Sequence, residues 1–219
     1  MESEADTRFM LDLADRHAVI LGVVGWTDLK AKDAAKAVAR LAAHPKLKGL
    51  RPMLQGLADD AWITDPALDE AVAAMIATDL ALDALVFPRH LPHLVTFAER
   101  QPDLRIVIDH GAKPDIAHGK FTEWRAAMAD LASLPNVSCK LSGLLTEAGD
   151  QKREAVRPYA ETILGLFGAR GVIWGSDWPV IRLASDYRSW FDQCRDIVPN
   201  DHHAAVFGAN AQSFYRLNG

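Results

Sequence analysis

The feature that most constrains this fold is an alternation along the chain. Short apolar runs rich in Val, Ile and Leu are each followed by a longer, often Ala-rich stretch with helical spacing. The clearest run, Leu104-Arg105-Ile106-Val107-Ile108-Asp109-His110, turns polar only at its end and breaks at Gly111. Strands are expected over 19–26, 47–54, 82–87, 104–110, 137–141 and 172–175. Helices are expected over 5–16, 33–43, 66–78, 92–101, 121–133, 159–167, 186–194 and 202–215, with Asp65-Pro66 as an N-cap and first-turn pair. A strand that is apolar on both faces is one that helices cover on both sides, which is the habit of parallel sheets. Six β–α units in series therefore point to an α/β barrel or a doubly wound sheet. No Gly-x-Gly-x-x-Gly follows any of these runs, which weakens the dinucleotide-binding version. Residues 1–219 read as a single domain.

Charge excludes some function classes. The net charge is -5 and the Lys and Arg residues are scattered, so there is no basic surface to displace counterions from nucleic acid. No apolar run approaches the ~20 residues that span a bilayer, and the acidic N-terminus lacks the order of a secretory signal. The two cysteines, Cys139 and Cys194, make no disulfide framework. A cytoplasmic protein that binds neither membrane nor nucleic acid is expected.

In parallel α/β proteins the working groups collect where the strands end. Asp177, after the run 172–175, is a candidate base or metal ligand; a turn aspartate would look the same. His110 ends the best strand and can shuttle a proton or hold a metal. Asp109 alternates to the opposite face and is expected to orient rather than react. Arg51 and Lys140 are candidates to hold a carboxylate or polarise a carbonyl, and Gln55 to hydrogen-bond substrate. Glu147 could reach the mouth but is expected at the surface, the pairs His90/His93 and His202/His203 read as surface or capping residues, and Cys139 as core. No Gly-x-Ser-x-Gly elbow or phosphate loop is present.

An ordered set of segments carries a family resemblance. It comprises Gly22-Val23-Val24-Gly25-Trp26-Thr27-Asp28-Leu29, Lys48-Gly49-Leu50-Arg51-Pro52-Met53-Leu54-Gln55 and Val107-Ile108-Asp109-His110-Gly111-Ala112-Lys113-Pro114. It continues with Val137-Ser138-Cys139-Lys140-Leu141-Ser142-Gly143-Leu144, Ile173-Trp174-Gly175-Ser176-Asp177-Trp178-Pro179 and the ending Asn210 to Leu217. In these segments the chain resembles the amidohydrolase family 2 group of the amidohydrolase superfamily, especially its L-fuconolactonase- and L-rhamnonolactonase-like sugar-lactonase branch. The resemblance implies a TIM-like (β/α)8 barrel and hydrolysis of a small-molecule lactone or sugar-acid substrate in carbohydrate metabolism. It implies Asp177 and His110 as the catalytic pair, with Arg51, Gln55, Lys140 and Trp178 at the mouth. Members differ in metal use, so the cofactor is either none or one divalent ion, zinc if any, with Asp177 and His110 as its candidate ligands.

The family's opening strand ends in His-x-His, and no His-x-His occurs in this sequence. The run 19–26 resembles the family's third strand, so the expectation is a barrel lacking its first two strands, incomplete at the N-terminus. Such a barrel exposes sheet edges that invite homo-oligomerisation. Two alternatives to a lactonase stand at this level: an inactive, non-catalytic barrel acting as a binding or interaction protein, and, less favoured, a decarboxylase of the same superfamily.

Overall fold

A computed structural model of the chain describes residues 3–149 and 153–217. Helix α1 (Glu4–Arg16) starts at Ser3, whose hydroxyl accepts from Asp6 N–H at 3.2 Å. The order continues β1 (Val23–Gly25), α2 (Ala34–Ala42), β2 (Leu47–Leu50), α3 (Asp69–Ala77), β3 (Ala81–Ala84) and α4 (Leu91–Arg100). It goes on with β4 (Ile106–Ile108), α5 (Thr122–Ala132), β5 (Val137–Leu141), the short α6 (Leu144–Glu147) and α7 (Arg157–Gly171). It closes with β6 (Val172–Trp174), α8 (Tyr187–Ile197) and α9 (Asn210–Tyr215).

The six strands form one parallel sheet in the order β1-β2-β3-β4-β5-β6. Each strand pairs with the next in sequence, and the order never reverses. A doubly wound sheet requires such a reversal, so the one-way order decides for a curled barrel wall. Strand partners Asp83, Val107 and Ser138 share one face, and Lys140 and Ile173 follow by alternation. On the other face Leu82, Ala84, Ile106, Ile108, Cys139 and Leu141 join the main apolar core under the helices.

The expected strand over 19–26 is shorter in the structure. Leu47, the first residue of β2, pairs with Val23, so residues before Val23 have no neighbour to bond, and Val19 is 87% exposed. On its far side, the end of β1 is finished by a side chain. The buried Thr7 hydroxyl accepts from Trp26 N–H and donates to Trp26 C=O, both at 2.8 Å. Gly25 permits this approach, since a Cβ there would stand 2.6 Å from Thr7 Cγ2.

The end of the described chain returns across the N-terminal ends of the strands. Asn210 Nδ2 donates to Ala169 and Val172 carbonyls at 2.7 Å each, fixing the start of α9. Arg216 then pairs with Asp79, just before β3, and Tyr215 reaches the face that carries Asp83 and Lys140. No helix among the described residues is long and apolar enough to cross a membrane.

Candidate active site

Two left-handed residues build the site. After β4 the backbone takes positive φ at His110 (54°), Gly111 (56°), Ala112 (63°) and Lys113 (50°). Three of these are not glycine, so the conformation is strained and must be held by its surroundings. Buried Trp124 supplies one hold, its Nε1–H donating to Gly111 C=O at 2.8 Å. After β6, Asp177 is also left-handed, with φ 55°. The two turns bring His110 Nε2 and Asp177 Oδ1 to 3.6 Å. That is longer than a direct hydrogen bond and close enough for strong electrostatic coupling.

Burial shapes both groups. It lowers the His110 pKa, which Asp109 and Asp177 only partly oppose, so the imidazole favours its neutral form. It raises the Asp177 carboxyl above its ordinary range, against the pull of His110 and Lys113. The imidazole Nδ1 faces the buried Ser142 Oγ at 2.8 Å.

Lys140 is placed differently from a free substrate ligand. Its ammonium is ion-paired to Asp83 and lies 2.7 Å from Asp109 Oδ1. Burial alone would lower its pKa, but the two carboxylates hold it well above the usual lysine value. Tyr215 O–H donates to Asp83 Oδ2 at 2.7 Å, completing the cluster. Arg51 Nη1 approaches Asp109 Oδ2 at 3.6 Å. Its Nε, like Gln55 Oε1, is buried without a hydrogen-bond partner among the described residues. Trp178 is 65% exposed beside Asp177.

The sequence reading missed Lys113 and set Glu147 on the surface. The two form an ion pair in which each side chain is about one-fifth exposed, and both line a cavity of about 360 Å³ with Phe87, Arg89, Lys120 and Trp124. Lys113 acts electrostatically on both His110 and Asp177. Its sequence signal is its position three residues after His110, inside one of the segments that carry the family resemblance. His90 caps locally as expected, its Nδ1 accepting from Phe87 N–H at 2.9 Å. His203 lies in hydrogen-bond contact with the Val198 carbonyl at 2.9 Å. Cys139 and Cys194 are buried and free.

Parallel strands wound one way, with an imidazole and a carboxylate meeting where they end, define a barrel-type protein with a candidate site at its strand ends. The amidohydrolase family profile matches residues 1–217, and the chain belongs to that family. It is 54% identical to an L-fucono-1,5-lactonase of Burkholderia ambifaria, over all of this chain and 78% of that one. It is 40% identical to an L-fucono-1,5-lactonase of Burkholderia multivorans, over 97% of this chain and 77% of that one. A crystal structure of a Burkholderia multivorans amidohydrolase with bound zinc superposes with TM-score 0.92 at 35% identity, covering 99% of this chain and 81% of the other.

Members of this superfamily commonly use a divalent metal, so the donors must be tested against one. His110 and Asp177 supply two, while the Asp109 carboxylate is held by Lys140 and Arg51. Among the described residues no group of three or more His, Cys, Asp and Glu is arranged for a metal ion. Zinc sites take three or four protein ligands, so the described donors do not fit one.

Proposed function

We propose that this chain hydrolyses a lactone, with sugar-acid lactones of the L-fucono-1,5-lactone type as the substrate class. The observation that carries the reading is the partly buried His110–Asp177 pair, 3.6 Å apart at the strand ends. The names of the two curated relatives support the substrate class.

Asp177, with its carboxyl raised by burial, is tuned toward the working pH of a general base. It takes a proton from water as the water oxygen bonds to the lactone carbonyl carbon. The neutral His110 ring donates a hydrogen bond from Nε2–H to the carbonyl oxygen, where negative charge develops. Collapse of the tetrahedral species breaks the bond to the ring oxygen. That oxygen takes the proton from Asp177, giving the open hydroxy acid and restoring the carboxylate. No step passes through a metal.

Arg51 Nε and Gln55 Oε1, an unpartnered donor and acceptor, are suited to substrate hydroxyls. Trp178 offers an exposed ring face to the C–H side of a sugar. Lys140 acts behind the site by holding Asp109. Free, buried Cys139 and Cys194 suit the cytoplasm.

The test is proton release from L-fucono-1,5-lactone. The wild-type chain is expected to accelerate ring opening over buffer, and Asp177→Asn to lose about 10²–10⁴-fold in rate with an unchanged circular dichroism spectrum. Absence of wild-type turnover would overturn the substrate class. Full turnover by Asp177→Asn would overturn the base.

A further inference from the structure

The His110 ring is clamped on its far side by two consecutive residues that follow β5. Ser142 Oγ lies 2.8 Å from Nδ1, and Ser142 is only 1% exposed. Gly143 sits against the same ring with φ 66°, and a Cβ there would stand 2.7 Å from His110 Cγ and Nδ1. Glycine thus lets the chain lie close to the imidazole. Ser142 is itself confined from the β6 side, because a Cβ on Gly175 would come within 3.2 Å of Ser142 Cβ.

Two proton arrangements satisfy the contact between Nδ1 and Oγ. If Nδ1 carries the proton, it donates to Ser142 and turns the bare Nε2 lone pair toward the Asp177 carboxylate, setting two electron-rich atoms against each other. If Ser142 O–H donates to Nδ1, the ring proton sits on Nε2 and points toward Asp177 Oδ1, 3.6 Å away. The second arrangement opposes a positive edge to a negative group and leaves no buried ring nitrogen unsatisfied.

We propose that Ser142 is a positioning residue: its hydroxyl donates to His110 Nδ1, fixing the ring's rotation and keeping the ring proton on Nε2. The catalytic meaning of that proton rests on the lactonase reading above; the hydrogen bond itself does not. Without the hydroxyl, the ring loses its rotational anchor and Nδ1 its buried partner. The chemical step depends on the direction of Nε2–H, whereas lactone binding draws on other groups. Loss of Ser142 is therefore read in kcat more than in KM.

The decisive measurement is ¹⁵N NMR of the histidine rings in the intact chain at about pH 8, where an ordinary imidazole is neutral. In the wild type, His110 Nε2 is expected to carry the proton, and Nδ1 to resonate as a hydrogen-bonded acceptor. In Ser142→Ala, Nδ1 moves to the position of an acceptor without a partner. In that variant kcat falls about tenfold while KM stays within about twofold. Ser142→Cys, with a weak S–H donor, lies between the two. A protonated Nδ1 in the wild type overturns the proposal, and needs no variant to fold. So does a Ser142→Ala protein with unchanged Nδ1 resonance and kcat. If the wild type opens no lactone, the lactonase reading fails and the Nδ1 resonances alone decide the role of Ser142.

Discussion

Lys140 Nζ lies 2.7 Å from Asp109 Oδ1, deep in the sheet face beneath His110, and the same ammonium is paired with Asp83. Both carboxylates are about 1% exposed. One ammonium is thus shared by two buried acids that reach it from β3 and from the turn after β4, and Arg51 stands 3.6 Å from the second. Removing one partner of a buried ion pair leaves uncompensated charge and costs ~3–5 kcal/mol. Lys140→Met is therefore expected to lower the stability of the chain by about that amount, read as a lower urea midpoint at neutral pH. An unchanged midpoint would show that the cluster is not held by Lys140.

Arg51 makes the opposite prediction from the same neighbourhood. Its contact with Asp109 is longer, at 3.6 Å, and its Nε has no hydrogen-bond partner among the described residues. On the proposed reading, the outer part of its guanidinium, with the side chain 29% exposed, reaches the substrate at the mouth. Hydrogen bonds involving charged groups contribute ~1.5–3 kcal/mol, so Arg51→Ala is expected to raise KM by about 10- to 100-fold with a smaller effect on kcat. The urea midpoint should move less than in Lys140→Met. A large loss of stability with KM unchanged would reassign Arg51 to the scaffold.

These two cations show where sequence reading stops. The alternation of apolar runs and helical stretches defined the parallel sheet, because burial on both faces leaves a direct compositional trace. It also placed His110 and Asp177 at strand ends. It overextended the strand over 19–26, because an apolar run looks the same whether or not a neighbouring strand is there to pair with. It treated Arg51 and Lys140 alike, since the carboxylates that separate them lie on other strands: Asp83 is 57 residues from Lys140. Lys113 and Glu147 meet across 34 residues, one from a left-handed turn that the sequence marks only with Gly111 and the other from the end of the short α6. Such contacts follow from loop geometry and leave no local pattern.

Zinc provides a third test. With His110 and Asp177 as the only two adjacent donors, the described site falls short of the three or four ligands of a zinc centre. Binding is expected to be far weaker than the ~10–16 kcal/mol measured for structural zinc in zinc-finger peptides. Dialysis of the purified chain against a chelator should leave no stoichiometric zinc, and adding zinc should not raise Tm. Zinc retained at one ion per chain, and lost in His110→Ala, would show that further donors assemble around this pair.

The last prediction follows from the direction of the Asp177 shift. Burial raises its folded pKa above the 3.8 of a free aspartate. At pH values between those two pKa values, the native state keeps a proton that the unfolded state has released. Stability therefore falls as pH rises through that window, and above it the ionised carboxylate carries the full cost. Asp177→Asn removes the ionisable group while keeping its shape. At pH 7–8 the variant is expected to melt above the wild type, with the gap narrowing as acid protonates Asp177 in the wild type. If Asp177 is the base proposed above, the same ionisation acts on activity with opposite benefit, because only the carboxylate can take a proton from water. Wild-type kcat/KM is expected to fall on the acid side with a midpoint above 3.8. Thermal melts and rate profiles over one pH series test both halves together. Loss of activity at a pH where Asp177→Asn gains no stability over the wild type would mean that Asp177 is solvated in the native state and that another group sets the acid limb.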